Sequence, residues 1–314
     1  MGQRGRVPPR LRAFIFLLLV VCVFAGCGKE NNSRVVDFTK TIPVARPSER
    51  TTGQPPLKVA VGAMVSPKET FVYYRQLLDY LGNKLGRHIE LVQRKTYEEV
   101  NELICKGGID LAFVCSGPYV AGKGKCGFDL LATPEMHGSH FYYSYLIVNK
   151  NSPFRGLADL KGRVFAFSDP DSLTGKLVPT YWLAEMHERP QTFFRKVIFT
   201  YSHDNSILAV AKGLVDGAAV DGLVWEYYHH AEPALVSATR VVCKWGPYGI
   251  PPLVASSTTP PALRDRVRKI LLTMREDPEG RQILEKLLID RFTAPNEAWY
   301  DSVRELERSV SAVK

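Results

Sequence analysis

The sequence predicts an α/β fold of two lobes, in which the chain crosses between the lobes twice and a ligand binds in the cleft between them. A strand–loop–helix pattern occurs twice, at 58–62 and at 163–167. A second pattern also occurs twice, at 103–114 and 208–221: a helix end, Lys-Gly, an acidic residue and an apolar strand. Strands that are apolar on both faces and alternate with helices are typical of parallel sheets covered by helices on both sides. In open α/β sheets, ligands bind beyond the carboxyl ends of the strands.

Residues 1–26 have the pattern of a lipoprotein signal peptide. Four arginines precede an apolar run at 13–25, which is shorter than the roughly 18 to 20 residues that span a bilayer: Arg4, Arg6, Arg10 and Arg12. Two small residues come directly before Cys27, whose thiol we predict to carry a lipid anchor. Lipid at this position would hold the mature protein on the outer side of a bacterial membrane, in the periplasm or cell envelope.

Residues 27–56 are rich in Asn, Ser, Thr, Pro and charge, and we expect them to form a flexible tether. The net charge of +9 falls to +5 once the four arginines of residues 1–26 are removed. No continuous stripe of Lys and Arg with interleaved aromatic residues occurs, so nucleic acid is not a predicted partner. A modest positive field suits a small anionic ligand instead.

The two lobes are expected to be interleaved along the chain. We assign 57–145 and 250–314 to the first lobe and 146–249 to the second. The segments 141–150 and 241–257 are interpreted as strands that cross between the lobes. Three helices are then expected to pack on the first lobe, around 262–276, 279–289 and 296–312.

Four cysteines follow Cys27, at positions 105, 115, 126 and 243. A disulfide among Cys105, Cys115, Cys126 and Cys243 is possible, but the spacing does not decide the pairing. None shows CxxC spacing, so no zinc or thioredoxin-like site is predicted.

The sequence contains no GxSxG, HExxH or Walker A motif. Residues 122–127 match GxGxxG, but no helix is expected to begin there, and we interpret them as a basic surface turn. We therefore expect no metal, no cofactor and no enzymatic activity.

The stretch FSDPDSLTGKLVP, 167–179, predicts an anion-binding turn at the start of a helix. Backbone N–H groups at a helix N-terminus lack partners within the helix and favour a negative charge. The hydroxyls of Ser172 and Thr174 can add donors, and Gly175 lets the backbone approach a ligand closely. The alternative is an ordinary capped helix, in which Ser172 or Asp171 bonds N–H groups of its own turn.

His203 lies in the loop before the second Lys-Gly pattern, where an imidazole can donate to an oxyanion. Together, DPDSLTGKLVP (169–179), the Ser202-His203 pair and LAVAKGLVDGAAVD (208–221) resemble phosphonate-binding periplasmic proteins of ABC importers and their phosphite- and phosphate-binding relatives. The resemblance covers 57 to about 292. It implies a type II, two-lobed periplasmic binding protein that holds a small phosphorus oxyanion and delivers it to an ABC permease. We expect this protein to be a monomer.

The resemblance also implies which residues contact the oxyanion: the turn of Ser172, Leu173 and Thr174, the imidazole of His203, and the hydroxyls of Tyr97 and Tyr142. Leu173 departs from the hydroxyl residue of the family pattern and offers its backbone N–H instead. Members that bind an aminoalkylphosphonate have two carboxylates where this chain has Leu223 and Pro251. Because a buried ammonium group without a carboxylate would bear a desolvation cost of several kcal/mol, 2-aminoethylphosphonate is not the expected ligand.

Asp221 ends the second apolar strand and resembles the AVD pattern of relatives that bind smaller ligands. Its carboxylate can accept a hydrogen bond from a protonated oxygen of phosphate, phosphite or a short alkylphosphonate, and would repel sulfate. The alternative is that Asp221 caps the next helix. Ser116, at the carboxyl end of a strand, is a further candidate for the cleft.

Two other functions are compatible with the sequence: a sensor that docks on a receptor kinase, and an enzyme that uses His203 and Asp221 on a phosphorylated metabolite.

Overall fold

The computed structural model describes residues 54–312. The predicted signal peptide, the predicted lipidation site Cys27 and nearly all of the predicted tether lie outside the described residues. Within 54–312, no helix has both the length and the apolar character that a membrane crossing requires.

The first lobe contains a six-stranded mixed sheet. Its strands are β1 (Leu57–Val61), β2 (Ile89–Val92), β3 (Leu111–Phe113), β4 (Asp129–Glu135), β10 (Leu253–Ala255) and β11 (Arg291–Thr293). Their order across the sheet is β11-β4-β10-β3-β1-β2. Strand β1 is parallel to β2 and β3, whereas β10 is antiparallel to β3 and β4. Four of the five residues of β1 are buried, as expected for a strand with both faces covered.

The second lobe contains a five-stranded sheet. Its strands are β5 (Phe141–Asn149), β6 (Val164–Phe167), β7 (Lys196–Phe199), β8 (Gly217–Asp221) and β9 (Thr239–Gly249). Their order is β7-β6-β8-β5-β9, with β6 parallel to β7 and β8 and with β5 antiparallel to β8 and β9. All five residues of β8 are buried. The two repeated sequence patterns therefore correspond to parallel strands in two separate sheets.

Helices cover both sheets. Those of the first part of the chain are α1 (Pro67–Leu85), α2 (Tyr97–Cys105) and α3 (Ser116–Cys126). Those that follow β6 are α4 (Val178–Glu185), α5 (Pro190–Phe193), α6 (His203–Ala211), α7 (Gly222–Ala231) and α8 (Pro233–Val236). The last three are α9 (Pro261–Leu272), α10 (Pro278–Lys286) and α11 (Asp301–Ala312). Short helical turns lie at Ala158–Leu160, Leu173–Leu177, Met274–Glu276 and Glu297–Tyr300.

Local sequence explains where the site-bearing helix α2 begins. Thr96 Oγ1 accepts the N–H of Glu99, and the Glu99 carboxylate accepts the N–H of Thr96, which is a capping box. Leu77, Leu78 and Leu81 of α1 lie in one hydrophobic cluster with residues of β1 and β3. Because β1, β2 and β3 are parallel, the start of α2, which follows β2, lies at the same edge of the sheet as the carboxyl ends of β1 and β3.

The chain passes between the sheets through short connections, at 136–140 and at 250–252. The predicted crossing segment 141–150 lies in the second sheet as β5, whereas 241–257 contains the end of β9 in the second sheet and β10 in the first, so it passes from one sheet to the other. The lobe boundaries stay a prediction.

Helix α11 contacts both lobes, because Val303 and Leu306 pack in one cluster with Leu173 and Val178 of the second lobe. The expectation that the last helix packs on the first lobe was therefore incomplete.

The interpretation of residues 122–127 as a surface turn was wrong, because they lie in the second half of α3 and its C-cap. Gly122 allows this helix to pack closely, since a Cβ at that position would overlap the Phe128 ring. A disulfide between Cys105 and Cys126 joins the C-terminal ends of α2 and α3, with their Cα atoms 5.5 Å apart. It settles the pairing that the spacing left open.

Candidate functional site

The described part of the chain contains a set of buried polar side chains whose terminal atoms have no hydrogen-bond partner. These, which we call the polar cluster, are Tyr97 Oη, Tyr142 Oη, Ser168 Oγ, Thr174 Oγ1 and His203 Nε2. Each of the five residues is at most 2 % exposed. A buried polar group without a partner costs about 1–3 kcal/mol, so proteins pair nearly all of them. Contacts to a ligand would satisfy all five groups together.

The two tyrosines of the polar cluster come from different lobes but share two neighbours, Cys115 and Asp221. Burial raises the pKa of Tyr97 and of Tyr142 well above the ordinary value, and the thiol of Cys115 and the carboxylate of Asp221 raise both further. Tyr97 begins α2 and Tyr142 lies in β5, so this shared environment spans the cleft. Both hydroxyls keep their protons at neutral pH and can donate to an anion.

Ser168 and Thr174 belong to the turn that follows β6. Ser144 Oγ, on β5, donates to the carbonyl of Thr174 at 2.7 Å and holds this turn against the strand that carries Tyr142. Gly175 packs directly on Ser168, and a Cβ there would overlap Ser168 Oγ. Glycine is needed at this position for close packing of the turn.

Ser172 caps the turn in which it lies. Its Oγ accepts the N–H of Gly175 at 3.0 Å, and its own N–H donates to the carbonyl of Asp169 at 3.1 Å. This is the ordinary cap that the sequence offered as the alternative, and the expectation of free amides was wrong for Ser172 and Gly175. The backbone N–H of Leu173 lies against the thiol of Cys115, whose pKa burial raises to about 12.

His203 is the first residue of α6 and is completely buried. Its Nδ1 accepts the backbone N–H of Asp221 at 3.0 Å. Since Nδ1 accepts, the proton of the neutral ring is on Nε2. Burial lowers the pKa of His203 to about 3, so the ring is neutral near pH 7. Nε2–H is thus a neutral donor within the polar cluster, which suits the role predicted for this histidine.

Asp221 ends β8 and caps α7. Its Oδ1 accepts the N–H groups of Leu223 at 2.8 Å and Val224 at 3.4 Å, so the capping alternative is confirmed for this oxygen. Neither bond uses Oδ2. Burial raises the pKa of Asp221 to about 7, so the carboxyl is partly protonated at neutral pH. It can therefore accept a proton from a ligand or donate one to it.

Three backbone N–H groups bridge the lobes around the polar cluster: Ser66 to Asp204 Oδ1 at 2.9 Å, Tyr97 to Asp169 Oδ2 at 3.3 Å, and His203 to the carbonyl of Met64 at 3.0 Å. Each joins an element of the first lobe to one of the second. The cluster consequently lies where the two lobes touch, as a site between lobes requires.

Three further residues near the polar cluster differ from what the sequence predicted. Ser116 Oγ donates to the carbonyl of Gly249 at 2.6 Å, so its proton ties α3 to the end of β9. Ser168 was not among the predicted residues, although it directly follows a parallel strand, and that position was a usable signal. Tyr74, on α1, was also missed as a site residue. Burial and the charge of Asp221 raise the pKa of its hydroxyl to about 12.

A family model described as the periplasmic substrate-binding protein of phosphonate ABC transporters matches residues 59–300. The chain belongs to this family. The resemblance noted in the sequence is thereby confirmed. Members of this phosphonate-binding family are substrate-binding components of transporters, which agrees with the prediction of no enzymatic activity.

Two curated relatives show how far the likeness extends. The chain is 28% identical over 178 residues to the phosphonates-binding periplasmic protein of Escherichia coli (strain K12), across 55% of this chain and 52% of that protein. It is 30% identical over 226 residues to the phosphate-import protein PhnD of Mycolicibacterium smegmatis, across 68% of this chain and 64% of that protein. The chain thus spans about half to two thirds of the length of these relatives.

Solved structures confirm the fold class of the phosphonate-binding family member. A binding protein component of an ABC phosphonate transporter from Pseudomonas aeruginosa superposes with a TM-score of 0.78 at 22% identity, covering 83% of this chain and 89% of that chain. PhnD1 from Prochlorococcus marinus, in complex with methylphosphonate, gives a TM-score of 0.73 at 20% identity, covering 81% of this chain and 98% of that chain.

Proposed function

We propose that this protein is the lipid-anchored substrate-binding component of an ABC importer for a small phosphorus oxyanion: phosphate, phosphite or a short alkylphosphonate. In this proposal it acts as a monomer on the outer side of a bacterial membrane, anchored through Cys27. Its lobes close on the ligand by a hinge motion, and the loaded form delivers the ligand to an ABC permease.

The observation that carries this proposal is the polar cluster itself. A tetrahedral oxyanion has several acceptor oxygens that point in different directions, and the five unpaired groups come from both lobes, Tyr97 from α2 and the other four from the second lobe. Hydrogen bonds to a charged acceptor contribute about 1.5–3 kcal/mol each, more than bonds between neutral groups. Removal of water around the ligand strengthens each of these bonds further.

The donors of the polar cluster are all neutral at pH 7. Burial keeps His203 unprotonated and both tyrosines protonated. A site without a fixed positive charge binds an anion through oriented dipoles, so the shape of the ligand and its protonation matter as well as its charge. Asp221 adds a group that can share a proton with the ligand, which a phosphorus oxyanion near neutral pH can supply.

A thermal-shift panel tests the proposal with phosphate, phosphite, methylphosphonate, 2-aminoethylphosphonate and sulfate as probes. A ligand at one hundred times its Kd stabilises the folded state by about 2.7 kcal/mol. For a domain of this size that raises the Tm by about 5–10 °C. We expect such a shift with at least one of the first three probes. If none of the phosphorus oxyanions shifts the Tm at millimolar concentration, the proposed function is wrong.

A further inference from the structure

Lys95 and Tyr201 form a contact between the two lobes, which we call the rim contact. Lys95 lies in the loop between β2 and α2 of the first lobe, and Tyr201 lies in the loop between β7 and α6 of the second. The ammonium nitrogen of Lys95 lies over the Tyr201 ring, 4.3 Å from the ring centroid. A cation within about 6 Å of an aromatic face is attracted by the ring. The two side chains therefore join the lobes directly.

The order of the strands places the rim contact far from the two connections between the lobes. Strand β2 is the outermost strand at one edge of the first sheet, and β7 is the outermost strand at one edge of the second. Each is three strands away from the nearest strand that enters or leaves a connection, which is β10 in the first sheet and β5 in the second. Neighbouring strands are about 4.8 Å apart, so this separation is about 14 Å. Because atoms far from a hinge move most when two lobes open, the rim contact depends on closure of the cleft.

The rim contact lies next to the polar cluster along the chain. Lys95 is two residues before Tyr97, and Tyr201 is two residues before His203. The N–H of Tyr201 also donates to the carbonyl of Ser168 at 2.6 Å. Lys95 and Tyr201 are therefore connected to three residues of the polar cluster, although neither belongs to it.

Tyr201 has an unusual backbone conformation, with a φ of 59°. This left-handed region is uncommon for residues other than glycine, and asparagine is among those that tolerate it best. Such a conformation persists only where neighbouring contacts hold it, and here the hydrogen bond to Ser168 does so. The Tyr201 ring also contacts that of Phe199, with centroids 6.3 Å apart. Tyr201→Asn is therefore expected to keep the backbone conformation and to remove only the ring.

We propose that the rim contact holds the cleft closed over a bound ligand, so that Lys95 and Tyr201 slow the release of the ligand without contacting it. This inference rests on the proposed function, but it concerns the rate of release and not the identity of the ligand. Lys95 also places a positive charge at the entrance of the cleft, which raises the rate at which an anion associates. The Tyr201 ring adds no such attraction, so the two residues share the first effect and not the second.

Rate measurements on the purified protein test this inference, with phosphate, phosphite and methylphosphonate as probes. Stopped-flow fluorescence of the tryptophans gives the association and dissociation rate constants, and calorimetric titration gives the Kd. Loss of a cation–π interaction at an exposed site should raise the dissociation rate constant about two- to fivefold in Lys95→Met and in Tyr201→Asn. The Kd should rise by the same factor in Tyr201→Asn, and by more in Lys95→Met, in which association is also slower. Tyr201→Phe keeps the ring, and its dissociation rate constant should lie closer to that of the original protein than that of Tyr201→Asn does.

Lys196→Met is the matched control for the lost charge. Lys196 is exposed at the amino end of β7, whereas Tyr201 follows the carboxyl end of the same strand. This control should keep the dissociation rate constant and the Kd of the original protein. The double variant Lys95→Met/Tyr201→Asn should release the ligand as fast as the single variants, because the same contact is lost in all three.

The outcomes separate this inference from the proposed function. An unchanged dissociation rate constant and Kd in Tyr201→Asn, with the probes still bound by the original protein, overturns the inference while the proposed function stands. A dissociation rate constant that rises in the double variant by the product of the two single effects also overturns it, since the residues would then act independently. If the original protein binds none of the three probes, both proposals fail. The Tm of each variant is measured alongside, and a Tm like that of the original protein excludes partial unfolding as the cause of faster release.

Discussion

Replacement of Thr174 by Val removes one hydroxyl of the polar cluster without changing the shape of the side chain. Thr174 is fully buried and its Oγ1 has no partner within the described protein, so no internal hydrogen bond is lost. The hydroxyl would donate to an anionic oxygen, and such bonds contribute about 1.5–3 kcal/mol. We therefore expect the affinity for phosphate or an alkylphosphonate to fall about 10- to 150-fold.

The stability of this variant without ligand should move in the opposite direction. Burial of a hydroxyl without a partner costs free energy, and Val does not have this cost. Since an unpaired buried group costs about 1–3 kcal/mol, we expect the Tm of the ligand-free variant to stay the same or to rise by up to about 10 °C.

Calorimetric titration and thermal unfolding measure the two quantities on the same protein. Thr192→Val is the matched control, because the Thr192 hydroxyl is exposed on α5 and bonds only the Arg189 carbonyl among its recorded contacts. The control should bind with unchanged affinity. An unchanged affinity in Thr174→Val would show that this hydroxyl does not contact the ligand, and a fall in the ligand-free Tm by several degrees would assign it a structural role instead.

Three further changes test other parts of the structure. Gly175→Ala places a Cβ against Ser168 Oγ, so it should lower the free energy of unfolding by about 1–3 kcal/mol in thermal unfolding. Gly124→Ala is the control, because no atom lies within 4 Å of the new Cβ, and it should be neutral or stabilising. Burial raises the pKa of Asp221 from 3.8 to about 7. Between about pH 4 and pH 7 the folded protein therefore holds a proton on this carboxyl that the unfolded chain has released. The contribution of Asp221 to the free energy of unfolding consequently falls as the pH rises through this range. Asp221→Asn should therefore gain stability relative to the original protein across that window, and a difference in free energy of unfolding that does not vary with pH would contradict the raised pKa. Cys27→Ala should move the protein from the membrane fraction to the soluble fraction of cells, and retention at the membrane would refute the predicted anchor.

The strands could be predicted because their signal is local. Residues 217–221 read GAAVD, and all five are buried in β8, so an apolar run with one acid at its end was sufficient evidence. The GxGxxG segment shows the opposite case. Within this helix Gly122 packs directly against the ring of Phe128, and no pattern within 122–127 contains that contact. The contact of α11 with the second lobe is likewise a tertiary property of Val303 and Leu306.

The site was predictable only in part, for a similar reason. Tyr97, Tyr142, Thr174 and His203 are far apart in the chain, and it was the family resemblance, and no spacing rule, that grouped them. The structure shows that the terminal atom of each is buried and has no hydrogen-bond partner among the described residues, while their role as ligand contacts stays a prediction. Ser168 lacked a motif, and its place in the cluster follows only from its burial and its unpaired hydroxyl.

The cap at Ser172 shows why helix N-termini are hard to assign from sequence. The same Ser hydroxyl can bond its own turn or a ligand, and both arrangements use the same residue types. Here Ser172 Oγ accepts the N–H of Gly175, so two of the expected amide donors are spent within the protein. The proposed site is therefore built mainly from side-chain hydroxyls and the imidazole, and not from a row of free amides, since the N–H of Leu173 also has a partner in the Cys115 thiol.

The protonation of Asp221 determines how such a site separates phosphorus oxyanions from sulfate. Burial raises the pKa of this carboxyl to about 7, close to the second pKa of about 6 of a phosphate monoester. A phosphorus oxyanion that still carries a proton can share it with the Asp221 carboxylate, so below the second pKa of the ligand their hydrogen bond needs no proton from water. Sulfate brings no proton, and it can bind only when Asp221 has taken one from water. That step becomes less favourable by about 1.4 kcal/mol for each pH unit above the pKa. Above both pKa values the phosphorus ligand must also take up one proton, at the same cost for each pH unit, so in the proposed site the selectivity against sulfate would reach a constant value there and not continue to rise with pH.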